Sequence, residues 1–134
     1  MTRAPSVPIS GASIGINRYD GRLLADFSHV RQSLGVIFTT RIGRRVFRRT
    51  FGSAVPPLLG QPLTPPTLLR FYMAIAIACY LWEPRFKVVS VNYPGTSPDT
   101  LAQGQFGVSI VGNYMPYALQ GDFTVAGAPV TVII

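Results

Sequence analysis

The stretch Leu68-Leu69-Arg70-Phe71-Tyr72-Met73-Ala74-Ile75-Ala76-Ile77-Ala78-Cys79-Tyr80-Leu81-Trp82, then Glu83-Pro84-Arg85, then Phe86-Lys87-Val88-Val89-Ser90-Val91-Asn92-Tyr93, decides the fold. A long apolar helical run stops at the tripeptide and a β-rich segment begins after it. Pro84 fixes φ and removes an N–H, so the opposite charges beside it are held at a rigid corner. Such a corner can be a structural clamp, a docking contact or an acid-base site.

Upstream, Thr64 can cap the helix, with Pro65 at its first position, where the missing N–H costs nothing. The helix then spans about residues 65–82 and is apolar on nearly all sides, which suits burial on several faces or a subunit contact. A first helix is expected over about residues 26–40, with Asp26 as N-cap. Phe27, Val30, Leu34, Ile37 and Phe38 share one face of it, and Ser28, Arg31, Gln32 and Ser33 the other. His29 falls on the polar side and reads as an ordinary surface histidine. Ile14 and Ile16 allow a short strand before it, and Asp20-Gly21 marks a turn. Thr39-Thr40 and Gly43 end the first helix; residues 51–66 read as an irregular loop.

Downstream, the strand from Phe86 closes at Pro94-Gly95. Gln105 to Gly112 reads as a second strand, with Phe106, Val108 and Ile110 on one face. Phe123 to Val125 and Val130 to Ile134 supply one or two more, broken at Gly127 and Pro129. The order predicts an α+β fold: two main helices followed by a small, mostly antiparallel sheet. Residues 1–12 read as a flexible arm and 13–134 as a single domain. Val130-Thr131-Val132-Ile133-Ile134 is uncharged and strongly β-prone, so it either pairs within its own sheet or also pairs with a strand of another subunit.

The chain has 134 residues, enough to bury a core, and apolar residues make up 48% of it. Charged residues are only 13%, about half the usual share, as expected of a surface covered by partners. The net charge is +7, carried almost wholly by arginine. Arg41, Arg44, Arg45, Arg48 and Arg49 cluster together, with no acidic residue between Asp26 and Glu83. Arginine suits bidentate contacts to carboxylate or phosphate and stacking on aromatics. The lone Cys79 and the polar, proline-rich first residues point to a protein kept in a reducing cytoplasm when made. The apolar run Phe71 to Trp82 is too short to span a bilayer.

One histidine and one cysteine cannot build a structural zinc site, and a Ser-His-Asp triad would need His29 as its base. No cofactor, metal or small-molecule substrate is therefore expected. Glycoside hydrolysis requires two carboxylates, drawn here from Asp20, Asp26, Glu83, Asp99 and Asp122. Only Glu83 stands in an apolar setting that favours a general acid, and Arg85 beside it opposes that shift. Nucleic-acid binding rests on the arginine cluster, with Phe47 and Phe51 as candidate stacking residues, and no reader motif supports it.

Read together, Gly21-Arg22-Leu23-Leu24, His29-Val30-Arg31-Gln32-Ser33-Leu34, Thr39-Thr40-Arg41-Ile42-Gly43-Arg44-Arg45-Val46, Phe51-Gly52-Ser53 and Trp82-Glu83-Pro84-Arg85 resemble the phage baseplate protein W family. That family includes the sheath-initiator wedge proteins of contractile tails and their type VI secretion counterparts. The resemblance covers about residues 14–93 well and the later strands loosely. It implies a non-enzymatic virion component, made in the host cytoplasm and assembled in several copies, six being the expectation. Its implied partners are other wedge proteins, the tail sheath protein and the tail tube or hub, with no membrane; a basic nucleic-acid-binding module is the alternative reading. Glu83, Pro84 and Arg85 become the contact to the wedge core, and Phe123, Val125, Val130, Val132 and Ile134 the sheath-facing residues. Some relatives carry a tail-lysozyme label, which would make Glu83 catalytic. Arg49-Thr50 depart from the proline and acidic residue that often precede Phe-Gly-Ser, and Asn113 to Gln120 is more aromatic than a plain hairpin loop.

Overall fold

A computed structural model of the chain describes residues 13–62, 64–93 and 107–133. The expectations for the arm at residues 1–12, the Pro94-Gly95 turn, Gln105, Phe106 and Ile134 fall outside these residues. The elements run β1 (Ile14–Ile16), β2 (Leu23–Ala25), α1 (Asp26–Thr39), α2 (Val55–Leu58), α3 (Pro65–Trp82), β3 (Phe86–Asn92), β4 (Ser109–Tyr114), a 3-10 turn (Ala118–Gln120) and β5 (Val130–Ile133). This is an α+β fold with two long helices and a three-stranded antiparallel sheet in the order β3-β4-β5. A separate hairpin, β1-β2, precedes them.

The helix-period residues on α1, Val30, Leu34, Ile37 and Phe38, are buried as one stripe. They meet Ile75, Ala78 and Cys79 of α3 and the inner face of the sheet in a single core. On β4 the strand period of two is clean: Val108 leads in, and Ile110, Gly112 and Tyr114 point inward. On β3 the pattern changes phase. Val88 pairs with Gly112 and Ser90 with Val111, leaving Val89 as a bulge. Phe86 and Val88 face the core before it, and Val91 and Tyr93 pack there after it. Without the extra residue, Ser90 and Asn92 would have taken those positions.

Several local expectations are corrected. Asp26 does not cap α1: the N-cap position falls on Ala25, without a side-chain cap bond, and Asp26 opens the helix at φ 52°. Its backbone N–H is taken by the Ser13 carbonyl at 3.0 Å, which ties the helix start to the hairpin. Thr64 does occupy the N-cap of α3, but its hydroxyl meets Thr67 Oγ1 at 2.9 Å instead of a backbone amide. Among the described residues the second sheet strand spans Ser109–Tyr114, so it leaves out Val108 and extends through Asn113 and Tyr114. Phe123 to Val125 is not a strand. Both edges of β4 are already paired, with β3 on one side and β5 on the other, so no edge there is left for it. β5 pairs antiparallel with β4 from Val130↔Gly112 to Ser109↔Ile133, as the first of the two readings of that segment required.

Candidate functional site

The corner at the end of α3 is built by backbone bonds on both sides of Pro84. Glu83 N–H donates to Cys79 O at 2.9 Å, closing the helix, and Phe86 N–H donates back to Glu83 O at 3.0 Å. Met115 N–H donates to Arg85 O at 2.8 Å, which locks the turn to the far end of β4. This geometry aims both charged side chains inward. Arg85 Nε donates to Glu83 Oε1 at 2.6 Å and Nη2 to Oε2 at 2.9 Å, a bidentate fork. Glu83 is 2% exposed and Arg85 5%. Within the chain the pair is an internal clamp, and Pro84 is the exposed member of the tripeptide.

The remaining guanidinium nitrogen reaches the hairpin. Arg85 Nη1 donates to Ser13 Oγ at 2.6 Å and lies 3.2 Å from His29 Nδ1. Because the guanidinium can only donate, Nδ1 accepts, and neutral His29 carries its proton on Nε2. His29 is thus no ordinary surface histidine. The β1-β2 hairpin covers that side of α1, and a Cβ on Gly15 would stand 2.4 Å from the imidazole Cδ2. Gln32 staples the same hairpin, donating to Ile16 O at 2.9 Å and accepting from Arg18 N–H at 3.0 Å.

Burial first and the Arg85 charge second lower the His29 pKa from 6.5, with Glu83 opposing. A histidine whose folded pKa is depressed leaves the unfolded chain holding more protons, so its stabilising contribution is present above the unfolded value and lost as pH falls through the folded one. The wild-type melting temperature should therefore drop on acidification from neutral pH to about pH 5. His29→Gln, which keeps an acceptor for Arg85, should flatten that dependence. Thermal melts of both proteins across the range check it, and equal slopes would refute the assignment. Cys79, buried against the same corner, has its thiol pushed from 9.0 up to about 12, by burial first and by Glu83 second. It is an inert core residue.

On the outer side of the corner lies a groove of about 660 Å³ between α3, the start of β3 and the segment after the 3-10 turn. Ile77, Tyr80, Glu83, Pro84, Phe123 and Val125 line it. The structure thus brings Glu83 and Pro84 together with Phe123 and Val125, which sequence reasoning had assigned to two different partners. Ala126 N–H donates to Tyr114 O at 2.8 Å and holds the segment against the strand. Val132 belongs to the core, and Val130 is half-buried. The outer face of β5 is therefore Thr131 and Ile133.

Arg41, Arg44, Arg45, Arg48 and Arg49 all lie exposed on the loop that follows α1. Arg45 stacks its guanidinium 4.1 Å from the centre of the Phe51 ring. Phe51 in turn packs on Trp82 with ring centres 5.0 Å apart. Phe51 is therefore half-buried among its neighbours, and Phe47 alone of the two expected stacking residues is fully open to solvent. Among the described residues no helix is long and apolar enough to cross a membrane, and no group of three His, Cys, Asp or Glu could hold a metal ion.

A small α+β scaffold with a salt-bridged corner, an open apolar groove and a sheet edge unpaired among the described residues has the features of an assembly subunit. Comparison with known proteins gives the family: the model of "Baseplate wedge protein gp25" matches residues 25–112, and the chain belongs to that family. It is similar to baseplate protein W of Escherichia phage P2, 41% identical over 79 residues that make up 59% of this chain and 69% of that protein. Two solved structures share the fold. The postcontracted baseplate of pyocin R2 contains a chain with TM-score 0.65 and 24% identity, covering 76% of this chain and 98% of that one. A crystal structure from Geobacter sulfurreducens, described as a candidate tail lysozyme, has TM-score 0.61 and 23% identity over 84% and 94% of the two chains. The chain is a structural baseplate wedge component of a contractile tail.

Proposed function

We propose that this subunit works by two contacts and no chemistry: it docks on other wedge proteins through the groove beside Pro84, and offers β5 to a tail sheath subunit. Glu83 and Arg85 shape the docking corner from within, and Pro84, Phe123 and Val125 form its contact rim. The copies, six by the family expectation, sit in the virion around the tail axis, having been assembled in the host cytoplasm.

The observation that carries the reading is the difference between the two sheet edges. β3 bears Lys87 and the Val89 bulge, both of which blunt an edge against further pairing. β5 is uncharged and unbulged, and among the described residues only β4 pairs with it. An edge of that kind is open to strand addition, in which backbone bonds supply the affinity. Removing the segment outright would also take Val132 from the core, so the informative variant is Ile133→Lys, at an exposed position. Changes at such positions usually alter stability by less than about 0.5 kcal/mol, while a lysine on an edge opposes a further strand. Mixed with its sheath subunit, Ile133→Lys should melt like the wild type and fail to start sheath polymerisation. Undiminished nucleation would overturn the sheath contact.

A lysozyme reading would need Glu83 as a proton donor. Both its oxygens instead accept from the Arg85 guanidinium inside the corner. No clearing of peptidoglycan is expected from the purified protein.

A further inference from the structure

The loop from Arg41 to Thr50 is unused by either contact, and its construction is unusual for a solvated connection. Five arginines project from it with no acidic partner: among the described residues the ion pairs are Arg22–Asp20 and Arg85–Glu83. Between the arginines stand exposed apolar side chains, Ile42, Val46 and Phe47, the last 100% exposed. Concentrated like charge and bare apolar surface both cost stability or solubility in a lone chain.

The loop is nevertheless fixed in shape. Its ends are joined by the Arg41↔Ser53 bridge and by Ser53 N–H donating to Thr40 O at 2.9 Å. Gly43 N–H donates across it to Arg49 O at 2.8 Å, and Phe51 N–H to Arg48 O at 3.0 Å. Arg45 is held on Phe51, and Arg48 lies 5.8 Å from the Trp82 ring centre. Two guanidinium groups are thus positioned before any partner arrives, which lowers the ordering cost of binding.

We infer that this loop is a third docking surface, for an acidic segment of a neighbouring baseplate protein that also carries an apolar side chain to cover Phe47. Charge complementarity selects the acidic character. Arginine beside an exposed aromatic is the composition of a protein contact's energetic centre. Ile42 and Val46 select protein over nucleic acid, because aliphatic side chains give bases nothing to stack on, and Phe51 already packs against Arg45 and Trp82. The inference rests on the baseplate role of the family and not on the sheath or groove contacts.

The test places a photoreactive group at the open position, Phe47→p-benzoylphenylalanine, in the full chain within assembled baseplates. Illumination should yield an adduct to a neighbouring tail protein, in a peptide containing Asp or Glu. Combining it with Arg44→Glu and Arg49→Glu should cut adduct yield about tenfold or more, since like charges brought together at an interface are strongly penalised. Both arginines are exposed, and an unchanged melting temperature of that variant would show that its fold is kept. Ile133→Lys should leave the adduct intact, so failure of the sheath contact and failure of the loop contact read out separately. An adduct to nucleic acid, to a second copy of this chain or to a segment without acidic residues would overturn the inference. So would no adduct from baseplates that contain the protein, or a yield unchanged by charge reversal.

Discussion

Glu83→Ala should lower the unfolding free energy by about 3–5 kcal/mol, the usual cost of breaking a buried ion pair from one side. The penalty comes from what is left behind. Arg85 would keep its burial and its links to Ser13 and His29, but its charge would have lost both carboxylate bonds. Arg85→Ala should cost a similar amount by stranding the Glu83 carboxylate in an apolar site against Cys79 and Phe86. A domain of this size has only about 5–15 kcal/mol of total stability, so either variant sits near the edge of folding. The double variant Glu83→Leu/Arg85→Met should recover most of the loss, because a buried pair replaced by apolar side chains is often neutral. Urea unfolding followed by circular dichroism measures all three. A wild-type midpoint for Glu83→Ala would show that the pair is not a clamp. A consequence follows for assembly experiments: a tail defect in a Glu83 or Arg85 variant would report on folding first, whereas Pro84→Ala changes an exposed residue of the same corner.

The choice among the readings of the tripeptide marks the boundary of what the residues disclose. The two long helices, the corner and the first sheet strand were readable because each depends on local period and on Pro84, whereas the single turn α2 (Val55–Leu58) lay inside a stretch read as irregular loop. The inward turn of Glu83 and Arg85, the clamp among the three readings, could not be selected, since it depends on Ser13 and His29, which lie 72 and 56 residues from Arg85 in sequence. His29 was misjudged for the same reason: its helix position is polar by spacing, and only the hairpin folding over it makes it half-buried. The one available signal was Gly15, a residue small enough to let that ring approach. β2 was missed because three residues pair with β1 without a pattern of their own. Phe123 to Val125 has strand-forming residues, yet strand formation needs a free edge as well as propensity. The resemblance placed Glu83 and Pro84 at one contact and Phe123 and Val125 at another, and no local pattern could show that the fold lines a single groove with all four.

The Phe51-Gly52-Ser53 motif leads to the second large effect: Gly52→Ala should cost roughly 2–4 kcal/mol, the sum of backbone strain and forced repacking. Gly52 has φ 130°, a conformation that side-chain-bearing residues rarely adopt. A Cβ there would stand 2.4 Å from the Thr40 carbonyl oxygen and 3.1 Å from both Arg41 C and Ile42 N. These are backbone atoms, so no rotamer change relieves the contact. Something larger must move, and the candidates are the two chain segments that close the arginine loop. Ser53 would be carried away from Thr40 O, and Phe51 from its place between Arg45 and Trp82. The substitution should therefore act twice, lowering the melting temperature and loosening the loop on which the acidic-segment contact depends. Amide hydrogen exchange separates the two effects, with the Gly43 and Ser53 amides losing protection before the core of α1 does. Gly35→Ala is the matched control, since a Cβ there meets nothing within 4 Å and alanine suits a helix interior better than glycine. Equal behaviour of the two variants would mean that the loop closes by some other means than the close approach at Gly52.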